Sequence, residues 1–463
     1  MENNKSEKLT NKQMLGYSFG GIPMALLAFV FTLYYVEFFF DDLQLLPIYF
    51  IVGQIIYAIV NAINDPLLGQ LSDRTDRKKW GGRRLPYIKW GAPIWGISLI
   101  FTFFPFVGPE NQILLFIHFV VSICAYDTML TLVVLCWMAL MPEMTTDIDE
   151  RNKINFFVLI WAVIGVLPFF FILPIFKAAG FPWFQILNTI IAIVSIICYW
   201  IVVKTSEEKP EFQKDEVFPL WKSIKETVKL KSFLVFIGYN FCSVFNSSIG
   251  FSYLFTYIFI LGIDPGLAIA LFFCVFLFIG YGSNYLCMKL RSKWSMKKII
   301  LRFGILKVIG AFITFILILN PITESLIWFG FIWTTFFGGY GVFTVPIMSL
   351  SMDEDEVNQG TRREGMFLGM NAFFTKPAQS LGPIVATIIL TTYGYAQNEI
   401  IQTPEALFGI KILFLLVPAV ASLISLIVIY FYPLYGDRLK DLQVRLEEIH
   451  QQKRERLTSA LKN

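Results

Sequence analysis

The sequence predicts an all-α polytopic membrane protein of twelve transmembrane helices in two six-helix halves, and three observations carry that expectation. Of 463 residues, 56% are hydrophobic and only 16% charged, with a mean hydropathy of +0.63, far more apolar than an ordinary soluble domain. The apolar residues gather in runs of about 20, the length a helix needs to cross the ~30 Å hydrocarbon core. Lys and Arg fall almost wholly in alternate connections, the asymmetry that orients membrane helices. Helices rather than strands follow because the runs are long and lack alternation, and because inside lipid each segment must satisfy its own backbone polar groups.

In chain order the expected spans are 14–40, 47–72, 86–106, 112–141, 154–176, 183–203, 232–262, 266–289, 298–319, 325–351, 364–393 and 408–432. The polar leader Met1–Asn11 has no cleavage-type signal, so the first span is expected to stay in the membrane. Lys5, Lys8 and Lys12 precede span 1, and seven Lys and Arg lie from Arg74 to Lys89 after span 2. Arg151 and Lys153 follow span 4, Lys204 to Lys231 span 6, Lys289 to Lys298 span 8, and Arg362 and Arg363 span 10. The intervening connections carry only Lys177. A multi-pass protein of the plasma membrane with both termini cytoplasmic is therefore expected. The charged stretch 204–231 separates an N-terminal half, 1–203, from a C-terminal half, 232–432. In the tail, 433–463, Tyr435, Leu439, Leu442, Leu446 and Ile449 recur at helical spacing, either to pack under the bundle or to lie on the membrane. The net charge of +4 follows this topology and implies no nucleic-acid partner.

The polar groups at membrane depth are the candidate functional residues. Asp65 lies in an apolar run, with Asn61 one turn before it on the same helical face and Asn64 beside it. Pro66 frees the Ala62 carbonyl. Such oxygens suit a hard cation, and a lone buried carboxyl also suits a proton; alternatively Asp65 pairs with a basic group and fixes helix contacts. Asp127, Thr128 and Thr131 share a face of span 4. Lys376 stands about a dozen residues into span 11, beside Phe373, Phe374 and Pro377. Span 7 carries Asn240, Ser243, Asn246 and Ser247 as a stripe suited either to solute hydroxyls or to joining helices. No enzyme is expected: His118 and His450 lack partners at catalytic or metal-ligand spacing, no glycine loop cradles phosphate, and the six cysteines read as reduced packing residues.

Three stretches resemble one family. Asn64-Asp-Pro-Leu-Leu-Gly-Gln-Leu-Ser-Asp-Arg-Thr with Gly82-Arg-Arg-Leu-Pro, Ala139-Leu-Met-Pro-Glu-Met-Thr-Thr-Asp with Glu150-Arg-Asn, and Asp353-Glu-Asp-Glu with Gly360-Thr-Arg-Arg-Glu-Gly-Met-Phe, Lys376 and Gly394-Tyr are similar to the glycoside-pentoside-hexuronide:cation symporters. These are a branch of the major facilitator superfamily. The resemblance implies the major facilitator fold and cation-coupled symport of a sugar-like solute by alternating access, without a cofactor. Asp65 with Asn61 and Asn64 would hold the monovalent cation. The family commonly has a second carboxylate where this chain has Asn61, so the coupling ion, H+ or Na+, stays open.

Asp127 enters the expected substrate site on its depth alone, and Asn240 and Asn246 on their polar stripe. Trp137 falls near the family's aromatic sugar-stacking position, and Lys376 matches its helix 11 lysine. On the first helix Gly20 to Ala25 lacks the acid of sugar-binding members and is similar to the lysophospholipid-transporting branch. An amphiphilic lysolipid is therefore the alternative solute, and a non-transporting sensor the alternative role. Gly69, Asp73, Arg74, Arg83 and Arg84 resemble a loop motif that latches one conformation, with Glu143, Asp147, Glu150, Arg151, Asp353, Asp355, Arg363 and Glu364 as further ionic contacts between the halves. A monomer in the bilayer is expected.

Overall fold

The computed structural model describes residues 9–73, 75, 77–145, 148–208, 229–263, 271, 274–359, 364–399 and 401–460. Among them the secondary structure is entirely helical. The helices are α1 (Asn11–Asp42), α2 (Pro47–Asp73), α3 (Leu85–Phe103), α4 (Gln112–Met144), α5 (Ile148–Ala178) and α6 (Phe181–Thr205). They continue as α7 (Lys231–Ser248), α8 (Tyr281–Leu290), α9 (Met296–Leu317), α10 (Pro321–Asn358), α11 (Glu364–Thr392), α12 (Pro404–Tyr430) and the tail helix α13 (Asp437–Ala460). Among the described residues every expected span contains helical residues, and eight helices are long and apolar enough to cross a membrane. The other four are α3, α7, α8 and α11.

The chain forms two compact units, Met1–Glu216 with Gly262–Ala270 and Ala396–Gln402, and Val217–Leu261 with Leu271–Tyr395 and Thr403–Asn463. In the first, α3 packs against α4 and α6, and α1 against α5. Trp95, Tyr126, Tyr199, Phe119 and Val30 are fully buried there. In the second, α7 packs on α11 and α12, and α9 on α12, around Phe233, Phe236, Ile299, Phe303, Phe343 and Phe367. The reverse faces are apolar and exposed, as lipid-facing surfaces must be. On α2 the outward stripe is Ile55, Ile59, Ile63, Leu67 and Leu71.

Local chemistry explains the irregularities. Gly338, Gly339 and Gly341 weaken the helical preference of α10, and the chain tightens into a 3-10 turn over Gly339–Phe343. Gly339 there stands so close to Ser283 of α8 that a side chain would collide. Lys177, at the last turn of α5, is ion-paired to Glu37 and, at 3.4 Å, to Asp42 of α1. Lys411 of α12 pairs with Glu324 at 2.6 Å and donates to the Ile318 carbonyl at 3.0 Å. In α13, Leu442 is buried against α10 and Leu439, Leu446 and Ile449 are partly shielded, while Tyr435 lies before the helix and is exposed.

Candidate functional site

The face of α2 opposite its lipid stripe is polar. Gln54, Tyr57, Asn61 and Asn64 recur at spacings of three, four and three, so they line one side of the helix over about 15 Å. Each meets a different environment inside the first unit. Gln54 Nε2 donates to the Tyr35 hydroxyl of α1 at 3.3 Å. The Tyr57 hydroxyl donates to Asp127 Oδ1 of α4 at 3.1 Å. Asn64 Nδ2 donates to Thr128 Oγ1 at 2.7 Å, and that hydroxyl donates to the Cys124 carbonyl at 2.7 Å. Asn61 is fully buried, and neither atom of its amide has a hydrogen-bond partner among the described residues.

Aromatic rings wall this strip. Phe31 stacks on Tyr126 at 4.1 Å and on Tyr35 at 4.6 Å. Asp127 is only 5% exposed. A buried carboxylate next to tyrosine hydroxyls and amides can accept hydroxyl protons of a polar solute, and oxygens of the Asn61 type can coordinate a cation. An unsatisfied buried polar group costs about 1–3 kcal/mol, so the Asn61 amide marks where such a contact would be most favourable.

The expected residues divide. Asn61, Asn64 and Asp127 come together in the first unit. Asp65 is on α2, but its side chain lies outside the described residues, as do the side chains of Asp73, Glu143 and Arg151 and the whole of Arg74 and Arg363. Trp137 is 3% exposed, and its ring stacks on Tyr17 at 5.3 Å. Its indole N–H donates to the Tyr17 carbonyl at 3.1 Å, while the Tyr17 hydroxyl donates to the Trp137 carbonyl at 2.8 Å. A side chain at Gly20 would strike the same indole. Trp137 therefore joins α4 to α1 by reciprocal bonds, with its ring already packed.

In the second unit Asn240 Nδ2 donates to Asn371 Oδ1 of α11 at 2.8 Å, and Asn246 Nδ2 to Ser422 Oγ of α12 at 3.2 Å. Two polar members of the α7 stripe thus join helices. Lys376 is half-buried on α11.

The basic loop holds an unexpected partner. Glu208, just after α6, is 7% exposed. Its carboxylate accepts from the backbone N–H groups of Arg83 at 2.6 Å and of Arg84 and Leu85 at 2.7 Å. These are free donors at the start of α3, where negative charge is favoured. The Arg84 guanidinium donates to Ser72 Oγ at the end of α2, so α2, α3 and the segment after α6 are tied within one unit. Glu150 likewise accepts from Leu9 N at 3.0 Å and from Thr145 Oγ1 at 2.6 Å.

Sequence reasoning missed Gln54, Tyr57 and Tyr35, although the three-four-three spacing on span 2 was readable. It also missed Glu208, whose bonds are to backbone and leave no sequence signal.

Apolar outer faces around a buried polar strip are those of a polytopic membrane protein. Its fold is similar to that of a D-xylose-proton symporter structure, with a TM-score of 0.61 at 14% identity, covering 89% of this chain and 95% of the other. The family described as MFS/sugar transport protein matches residues 16–436, and the chain belongs to that family. Among relatives, an uncharacterised symporter of Synechocystis is 26% identical, over 96% of this chain and 99% of its own. A putative glycoside/cation symporter of Escherichia coli is 23% identical over 95% of both, and Transmembrane protein 180 of Gallus gallus is 23% identical over 91% and 92%.

Proposed function

We propose that this chain is a cation-coupled symporter that carries a small glycoside-like solute by alternating access. The observation that carries the proposal is the buried strip of α2, where the unsatisfied amide of Asn61 lies one turn from Asp65 and beside the Tyr57–Asp127 pair. Family membership and the names of the symporter relatives support it. Asp65, with Asn61 and Asn64, holds the cation, a proton or a sodium ion. Asp127 accepts solute hydroxyls, with Tyr57 and Tyr35 orienting it. Lys376, Asn240 and Asn246 serve the solute from the C-terminal half.

Trp137 has a packing role in this scheme, because its ring and N–H are already engaged. The halves are 1–203 and 232–432, joined by 204–231 and followed by the tail 433–463. The protein works as a monomer in the plasma membrane with cytoplasmic termini. Asp73, Arg74, Arg83, Arg84, Glu143, Arg151 and Arg363 hold the cytoplasmic latch.

An amphiphilic lysolipid is the second reading. It is favoured by an open apolar groove of about 490 Å³ on the second unit, lined by Phe278, Gly282, Phe329, Trp333 and Phe337 among others. Counterflow in proteoliposomes decides between them. Exchange of a radiolabelled methyl glycoside supports the sugar reading; exchange of a lysophospholipid alone replaces it. Binding of either without exchange makes the chain a sensor.

A further inference from the structure

Lys307 is the twelfth of the 22 residues of α9, which sets it about 16 Å along a helix long enough to span the hydrocarbon core. It belongs to none of the motifs used above. A lysine at that depth is a functional residue by default, and its direction can be read from its neighbours. At about 100° per residue, Ile305 and Ile309 stand about 160° from it, and both are exposed on the lipid side with Ile313 and Ile316. One turn away on its own side, Phe303, Gly304, Gly310 and Ala311 are buried.

The two glycines fix what lies opposite. A side chain at Gly304 would strike Leu426 of α12, and one at Gly310 the Trp333 indole of α10. Lys307, which is half-buried, therefore stands on the face of α9 that packs on α10 and α12, turned from the Ile305 and Ile309 side.

It has no counter-charge there. Lys307 makes no hydrogen bond or ion pair with any described residue. The helices of this unit carry no Asp or Glu between 231 and 260, 271 and 290, 296 and 317, 327 and 352, or 365 and 392. In α12 the acid is Glu405, in its first turn, and Glu324 at the start of α10 is committed to Lys411. The flanking helices instead offer hydroxyls. Ser422 of α12 accepts from Asn246 and lies beside the Tyr340 hydroxyl of α10. An uncompensated cation at membrane depth is unfavourable. An oxyanion brought in by the solute would supply the missing charge, with the Ser422 and Tyr340 hydroxyls of the two facing helices as neutral donors.

We propose that Lys307 is an anion-recognition residue of the second unit, which selects solutes bearing a carboxylate or a phosphate over their neutral counterparts. The inference rests on the transport reading above and narrows its solute. The test uses full-length protein in nanodiscs and three matched pairs of probes: methyl β-D-glucuronide and methyl β-D-glucoside, glucose 6-phosphate and glucose, and a lysophosphatidate and the monoacylglycerol of the same chain. The expected result is that at least one anion binds about tenfold tighter than its partner, about 1.4 kcal/mol. That preference should be lost in Lys307→Met and Lys307→Gln and kept in Lys307→Arg, while neutral-probe affinity stays unchanged.

The pair showing the preference identifies whether a sugar acid, a sugar phosphate or a lipid phosphate is the source. Size-exclusion profiles establish that each variant is folded, and either neutral variant suffices. Equal binding within every pair, no binding of any anion, or a preference that survives removal of the lysine overturns the proposal. Counterflow of the neutral glycoside, measured separately, judges the transport reading alone.

Discussion

Replacing Glu208 with alanine removes the acceptor for three backbone N–H groups at the start of α3, at 2.6, 2.7 and 2.7 Å. A hydrogen bond to a charged acceptor contributes about 1.5–3 kcal/mol. The three share one carboxylate, however, and freed N–H groups at a helix start can be reached by water once the side chain is gone. A sum nearer an N-cap plus a partly buried helix-dipole interaction, about 2–4 kcal/mol, is therefore expected. For a unit of this size that corresponds to a fall of about 5–12 °C in Tm. Glu208→Gln keeps one acceptor oxygen and loses the charge, so it should fall between. Melting of the purified protein in detergent, followed by tryptophan fluorescence, measures both. A Tm for Glu208→Ala within about 1 °C of wild type, against the several degrees a lost cap implies, would refute the reasoning. So would a glutamine variant as damaged as the alanine one.

Tyr57→Phe removes the donor to Asp127; glycoside counterflow should fall at least about fivefold, the equivalent of one net hydrogen bond of about 1 kcal/mol, while the fold is retained by size exclusion. Trp137→Phe deletes the bond to the Tyr17 carbonyl and should lower Tm by about 2–4 °C, equivalent to about 1 kcal/mol, with KM unchanged; a tenfold rise in KM would return Trp137 to the solute site. Lys411→Met strands Glu324, which is 26% exposed, so a loss of about 2 kcal/mol is expected, below the range for a fully buried pair. Adding Glu324→Gln should recover most of it, and a double-mutant cycle with no coupling would contradict the pairing.

The spans were legible because lipid imposes a length and a polarity that no tertiary contact overrides. The interruption of α10 at Gly339 was not anticipated, since the apolar run continues through it and only the glycines mark it. In the candidate site, Asn61, Asn64 and Asp127 stood out because polar residues are costly in apolar runs. Tyr57 and Tyr35 did not, because a tyrosine in an aromatic-rich membrane chain is ordinary until its hydroxyl is seen to meet a carboxylate. Trp137 illustrates the converse. Its position matched a known role, yet its ring and N–H are taken by Tyr17 and Gly20 of α1, a fit that only the packing of two helices reveals. Arg84 shows the same with charge: its guanidinium reaches Ser72 at the end of the preceding helix, a tie that the spacing of the loop residues does not reveal.

The most direct test of the coupling is solute uptake by proteoliposomes under an imposed inward gradient of protons or of sodium, with wild type and Asp65→Asn compared in the same preparation. Wild type should concentrate a methyl glycoside in response to one of the two gradients. The variant should fall to the gradient-independent level while still exchanging labelled for unlabelled glycoside. Gradient-driven accumulation that survives Asp65→Asn would contradict the assignment of Asp65, and with it the account of α2 as the helix that couples cation to solute.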